Sequence, residues 1–179
     1  MGISANGHEQ AATLANYFRH RLLDAIYASP MKRVQQTLSP LLGNGAPVPV
    51  TLPGLREVDF GDWTGHGWEA VQEKFGASAF DWLEHLERGT IPNAEPLAAY
   101  RGRVEPCLTE IVGQHRGQTV AVFCHGGVIR MMLSILLELP LPKTDLFQID
   151  YASITRVAIG PHRTEIQLLN FVPARFCHT

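Results

Sequence analysis

Thr119-Val120-Ala121-Val122-Phe123-Cys124 is a continuous apolar run that stops at His125-Gly126-Gly127, after which apolar residues resume at helical spacing through Ile129, Leu133 and Leu136. A β-rich run bounded in this way predicts a buried parallel strand that passes directly into a helix. Upstream of it, Leu97, Tyr100, Val104, Leu108 and Ile111 repeat at steps of three and four, which predicts a longer helix packing one face and stopping near Gly113. Further back, residues 24–28 form a short strand candidate. Ser29-Pro30 then joins a good N-cap to a proline suited to the first helical position, so a helix is expected from Pro30. The chain opens with Asn6 as a capping residue, Glu9 three positions later, and a helical repeat through Ala11, Leu14, Ala15, Phe18 and Leu22. Between these lie a second strand candidate at 48–52, a glycine- and proline-rich ordered loop at 53–67, and helical pieces at 68–75 and 80–86. Strand candidates at 145–151, 153–159 and 164–170 close the chain, the last two joined by the hairpin signal Gly160-Pro161-His162-Arg163. Strands alternating with helices predict an α/β sheet covered on both faces and ending in antiparallel strands.

At 179 residues and 45% hydrophobic content the chain can bury one sizeable core, and nothing in its length demands a second domain. With 15 basic against 17 acidic residues, it offers no broad electrostatic surface to nucleic acid, so a small-molecule partner is expected. Cys107, Cys124 and Cys177 form no Cys-x-x-Cys pair, and their odd number argues against a disulfide framework and for a reducing compartment. Residues 1–6 carry neither a basic leader nor an apolar core. The longest apolar stretch, 128–141, is broken by Arg130, Ser134, Glu138 and Pro140. A cytoplasmic protein with no membrane span is the expectation.

In open α/β sheets, ligands collect at the carboxyl ends of strands. Arg33 falls in the first turn of the helix after the first strand candidate, where its guanidinium and free helix amides could converge on an anion; on that segment alone it also reads as a surface arginine. His125 stands at a strand end before two glycines that permit close backbone approach to a ligand, a position hard to explain as packing. Neighbours on a strand point to opposite faces, so Cys124 should not pair with His125 and reads as a small buried apolar residue. In Leu55-Arg56-Glu57-Val58-Asp59-Phe60-Gly61-Asp62-Trp63, acidic residues alternate with large apolar ones. Such a carboxyl has a raised pKa and can donate a proton near neutral pH, the alternative being a solvated acidic loop.

Ser29-x-x-x-Arg33-x-x-Gln36-Thr37, Leu55-Arg56-Glu57-x-Asp59-Phe60-Gly61-x-Trp63-x-Gly65 and His125-Gly126-Gly127-Val128-Ile129-Arg130 occur in this order in the histidine phosphatase (phosphoglycerate mutase-like) superfamily, which the chain resembles from Gly7-His8-Glu9-Gln10-Ala11 to Leu169-Asn170. The resemblance implies a three-layer α/β/α sandwich with a mostly parallel central sheet, residues 1–179 forming a single domain. It also implies a phosphate pocket in which Arg33, His125 and the amide of Gly126 bind the phosphoryl oxygens and Glu57 protonates the leaving group. No metal or other cofactor is then required, because phosphoryl transfer rests mainly on positioning and charge neutralisation. Family members begin with a strand ending in Arg-His-Gly, whose histidine becomes phosphorylated. No Arg-His-Gly occurs here, so the first strand is expected to be missing and the domain N-terminally truncated. The resemblance places that strand in the middle of the sheet, beside the one ending at His125. Pro92-Asn93-Ala94-Glu95-Pro96 also departs from the Gly-Gly-Glu-Ser turn of relatives.

The leading expectation is therefore a phosphomonoester hydrolase acting through phosphohistidine on a small phosphorylated metabolite, the chain as it stands being inactive for lack of the nucleophile. A phosphoglycerate mutase-type phosphotransferase comes second, since the loop at 59–63 resembles the phosphatase branch more than the mutase branch. From a different class, a shortened protein could bind phosphorylated ligands or a partner without turnover. A nucleotide-binding α/β domain is disfavoured by the lack of a G-x-G-x-x-G or P-loop motif. Homo-oligomerisation stays open.

Overall fold

A computed structural model describes residues 2–43, 45–78 and 81–175. Three parallel strands form the first sheet: β1 (Ala25–Ala28), β2 (Val50–Thr51) and β3 (Val120–Phe123), in the order β2-β1-β3. Register pairs Ala25 with Val120 and Ala28 with Phe123. The chain then ends in an antiparallel hairpin, β4 (Ile154–Ile159) and β5 (Thr164–Phe171), closed by a bond from Gly160 N to Arg163 O of 2.9 Å. This hairpin is a separate two-stranded sheet, so among the described residues β3 has a strand partner on one edge only.

Side-chain alternation explains why helices cover both faces. On β1, Ile26 and Ala28 join Ala121 and Phe123 of β3 in one apolar cluster, while Tyr27 faces a second cluster that Val120, Val122 and Cys124 pack against. The first cluster is completed by Leu14 and Ala15 of α1 (Ala5–Arg19) and by Val34 and Leu38 of α2 (Lys32–Leu38). The second is filled from α3 (Trp68–Phe75), α4 (Trp82–Arg88), α5 (Leu97–Gln114) and α6 (Gly126–Leu136), with Tyr100, Val104 and Val128 wholly buried. Each large apolar side chain so enclosed contributes about 1.5–3 kcal/mol, which makes the two faces, and not the short strands, the source of cohesion. The result is the α/β/α arrangement expected from the sequence.

Several boundaries differ from expectation for local reasons. Helix α1 is capped by Ser4, whose Oγ accepts from Gly7 N at 3.2 Å, rather than by Asn6, which lies inside the helix. Helix α2 begins at Lys32 and not at Pro30, because Ser29 is still extended, its N–H bonded to Phe123 O at 2.9 Å. Strand β2 shrinks to two residues: Pro47 and Pro49 have no N–H to give, and Val48 is exposed. The strand expected at 145–151 does not form. A 3-10 helix occupies Leu141–Leu146, fixed by Thr144 Oγ1 donating to Leu141 O at 2.7 Å, and Asp150 N bonds the Asn170 side chain at 2.7 Å. Helix α4 starts at Trp82; Phe80, expected within it, and Cys177 lie outside the described residues. Among the described residues, no helix is long and apolar enough to cross a membrane.

Candidate active site

The carboxyl ends of β1 and β3 lie side by side, and each hands over to a segment that carries a polar side chain. Ser29 follows β1 and is fully buried; His125 follows β3, is 6% exposed, and caps α6 in an extended conformation. The two side chains meet, His125 Nε2 lying 2.8 Å from Ser29 Oγ. From the second position of α2, Arg33 Nε donates to His125 Nδ1 at 3.1 Å. A guanidinium has no acceptor, so Nδ1 must be the lone-pair nitrogen; the neutral ring then carries its proton on Nε2 and donates it to Ser29. That tautomer rules out the dyad chemistry the Ser29–His125 contact suggests, because His125 gives a proton to Ser29 rather than taking one. Burial, followed by the charges of Arg33 and Arg103, pushes the His125 pKa down to about 3, so the ring is neutral at physiological pH.

Glu57 arrives from the opposite side. Its Oε1 accepts from its neighbour Val58 N at 3.1 Å and its Oε2 from Gly127 N at 3.2 Å, so the carboxyl sits on the first turn of α6, two residues from His125. Burial raises its pKa, against opposing contributions from the two amides and from Arg33 and Arg103. A Cβ at Gly127 would stand 2.5 Å from Glu57 Oε1, so a larger residue there would displace the carboxyl. The structure thus brings Arg33, His125 and Glu57 together at the start of α6, with Gly126 as that helix's first residue. The amide that Glu57 engages is Gly127's, one beyond Gly126. Cys124 is no nucleophile: burial, then Glu57, pushes its thiol up to about 12.

Sequence reading missed the group that aims Glu57. Arg103, on α5, uses all five guanidinium N–H groups: Nε and Nη2 grip Glu95 Oε1 and Oε2, both at 2.7 Å, while the remaining bonds go to the carbonyls of Gly54, Arg56 and Glu57. The loop bearing Glu57 is thereby tied to a helix. Its later part is held in turn by the turn at 92–95, through Asp62 N to Pro92 O at 3.0 Å and Glu95 N to Asp59 O at 2.9 Å. Asp59 and Asp62 spend their carboxylates on this loop, accepting from Gly61 N and Asn93 Nδ2, and so belong to the scaffold. Among the described residues no three His, Cys, Asp or Glu side chains gather as a metal-ligand set.

Compared with known proteins, residues 1–172 match the histidine phosphatase superfamily, branch 1. The chain is 31% identical over 176 residues to phosphoserine phosphatase 1 of Hydrogenobacter thermophilus, covering 98% of this chain and 82% of that protein. It is 23% identical over 168 residues to the adenosylcobalamin/alpha-ribazole phosphatase of Escherichia coli, covering 94% and 83%. The fold also superposes on the solved structure of mycobacterial glucosyl-3-phosphoglycerate phosphatase with a TM-score of 0.82 at 22% identity, over 96% of this chain and 88% of that one. The chain belongs to the histidine phosphatase superfamily, branch 1, and is a phosphatase by family.

Proposed function

We propose that residues 1–179 are the catalytic domain of a phosphomonoester hydrolase acting on a small phosphorylated metabolite, with Arg33, His125 and the Gly126 amide receiving the phosphoryl group and Glu57 the leaving oxygen. The observation that carries this reading is the shared position of the three side chains: Arg33 on His125 Nδ1, and Glu57 on the amide two residues further along α6. A bound phosphate dianion would draw the Arg33 guanidinium and the His125 Nε2 proton away from their resting partners, replacing bonds to neutral acceptors with bonds to an anion. These fixed donors then meet charge that grows on the phosphoryl oxygens, where preorganised groups act most strongly. Glu57, its pKa raised by burial, gives its proton to the departing alkoxide as the P–O bond breaks.

The acceptor in that step is a histidine nitrogen, giving a phosphohistidine; water then attacks phosphorus, passes its proton to the Glu57 carboxylate and restores both groups. Among the described residues the site holds one histidine, His125, whose ring nitrogens are both engaged, and no Arg-His-Gly occurs in the sequence. We infer that the nucleophile is carried by a strand laid along the free edge of β3. The names of the relatives, a phosphoserine phosphatase and an alpha-ribazole phosphatase, support a small phosphate ester as substrate. The test compares residues 1–179 with a chain extended at the N-terminus by a strand ending in Arg-His-Gly. Hydrolysis of phosphoserine and an acid-labile, base-stable phosphoenzyme are expected from the longer chain alone. Equal turnover by residues 1–179 overturns the assignment of the nucleophile.

A further inference from the structure

We propose that Tyr100 is a positioning residue for Glu57: its hydroxyl accepts from the Glu57 carboxyl when protonated, and donates to it when ionised. The inference rests on the reading of Glu57 as proton donor. Tyr100 projects from α5 into the core, is 0% exposed, and its buried Oη has no hydrogen-bond partner among the described residues. Buried tyrosine hydroxyls ordinarily find one. The oxygen is not stranded at random. A Cβ on Gly127 would lie 2.5 Å from Glu57 Oε1 and 3.1 Å from Tyr100 Oη, so carboxyl and hydroxyl flank the same point of α6.

The Glu57 carboxyl lacks an acceptor for its own proton among the described residues. Its two partners, the amides of Val58 and Gly127, are both donors. They suit the carboxylate, but a protonated carboxyl must also place its own O–H on an acceptor, and neither amide offers one. A hydroxyl serves both states: its lone pairs receive the acid's proton, and its O–H turns to the carboxylate once that proton has gone to the leaving group. Cys124, whose thiol also feels Glu57, is a poor substitute in either role. Tyr100 and Arg103 stand three residues apart on α5, the guanidinium carbon 4.8 Å from the ring centroid. One turn of helix thus holds the backbone beneath Glu57 through Arg103 and faces its carboxyl with Tyr100. Burial, and after it the charge of Glu57, raises the Tyr100 pKa, in agreement with this proximity.

The test is a carbon-13 NMR titration of the side-chain carboxyl of Glu57 in residues 1–179, its resonance assigned by loss in Glu57→Gln, repeated in Tyr100→Phe. Because the hydroxyl has no hydrogen-bond partner among the described residues, a merely structural tyrosine would leave the titration unmoved and melting unchanged or slightly higher. Hydrogen bonds to an ionised group are about twice as strong as neutral ones, so loss of the hydroxyl should raise the Glu57 pKa further, by roughly half a unit or more. An unchanged midpoint in Tyr100→Phe, with wild-type Glu57 still titrating above the ordinary 4.5, overturns the role of Tyr100 alone. A wild-type midpoint at or below 4.5 overturns the proton-donor reading and this proposal with it.

Discussion

Replacing Arg103 with alanine withdraws a guanidinium whose five N–H groups are all engaged, leaving the Glu95 carboxylate with only the long bond from Asp59 N at 3.4 Å and depriving three loop carbonyls of their arginine donor. The pair is well covered, the Arg103 and Glu95 side chains being 16% and 15% exposed, so it lies far from the surface pairs worth about 0–1 kcal/mol. Removing one member of a buried, bidentate pair costs about 3–5 kcal/mol, since the remaining charge stays desolvated. Against a typical domain stability of about 5–15 kcal/mol, that loss is a large fraction. In urea, with a slope of about 2 kcal/mol per molar, the midpoint should fall by roughly 1.5–2.5 M. Arg103→Lys keeps the charge but not the planar fork and should recover less than half of the loss. The double variant Arg103→Ala/Glu95→Ala should be less destabilised than the sum of the single variants, with a coupling of about 1–3 kcal/mol. A loss below about 1 kcal/mol for Arg103→Ala, additive with Glu95→Ala, would refute the clamp.

Three further outcomes are expected. Folding stability should rise with pH between about 3 and 6.5, because His125 has its pKa depressed to about 3 when folded, so the unfolded chain binds more protons across that window; calorimetric melting of His125→Asn should show a flatter profile there. Glu57 acts in the opposite sense, its raised pKa giving stability that is full below 4.5 and lost as pH rises through the folded value, so Glu57→Gln should remove a decline on that side. Gly127→Ala should cost about 1–3 kcal/mol, a fall of roughly 2–4 °C in Tm per kcal/mol, because its Cβ meets Glu57 Oε1 at 2.5 Å; an unchanged melting curve would show that Glu57 is not held on this turn.

What the sequence made legible and what it hid divide along physical lines. His125 could be read because a strand ending in a polar residue and two glycines is a local pattern, and Arg33 because a helix start lies beside it. Arg103 and Tyr100 lie within an amphipathic helix, where an arginine looks solvated and a tyrosine looks like core. Their meaning comes from partners at positions 54–57 and 127, contacts that no local spacing encodes. The segment at 145–151 alternates like a strand, yet Leu146 and Tyr151 are 78% and 89% exposed, and its backbone is satisfied in part by the Asn170 side chain. Tertiary contacts overrode the period there.

Titration of residues 1–179 with inorganic phosphate, followed by amide and arginine side-chain NMR, tests the proposed site most directly. Saturable shifts are expected at Ser29, Arg33, His125 and Gly126, with His125 taking up a proton as the anion binds, and Arg33→Met should weaken binding at least about tenfold, or 1.4 kcal/mol. Shifts confined to other surfaces, or equal affinity in Arg33→Met, would contradict the assignment of a phosphate site to the first turn of α6.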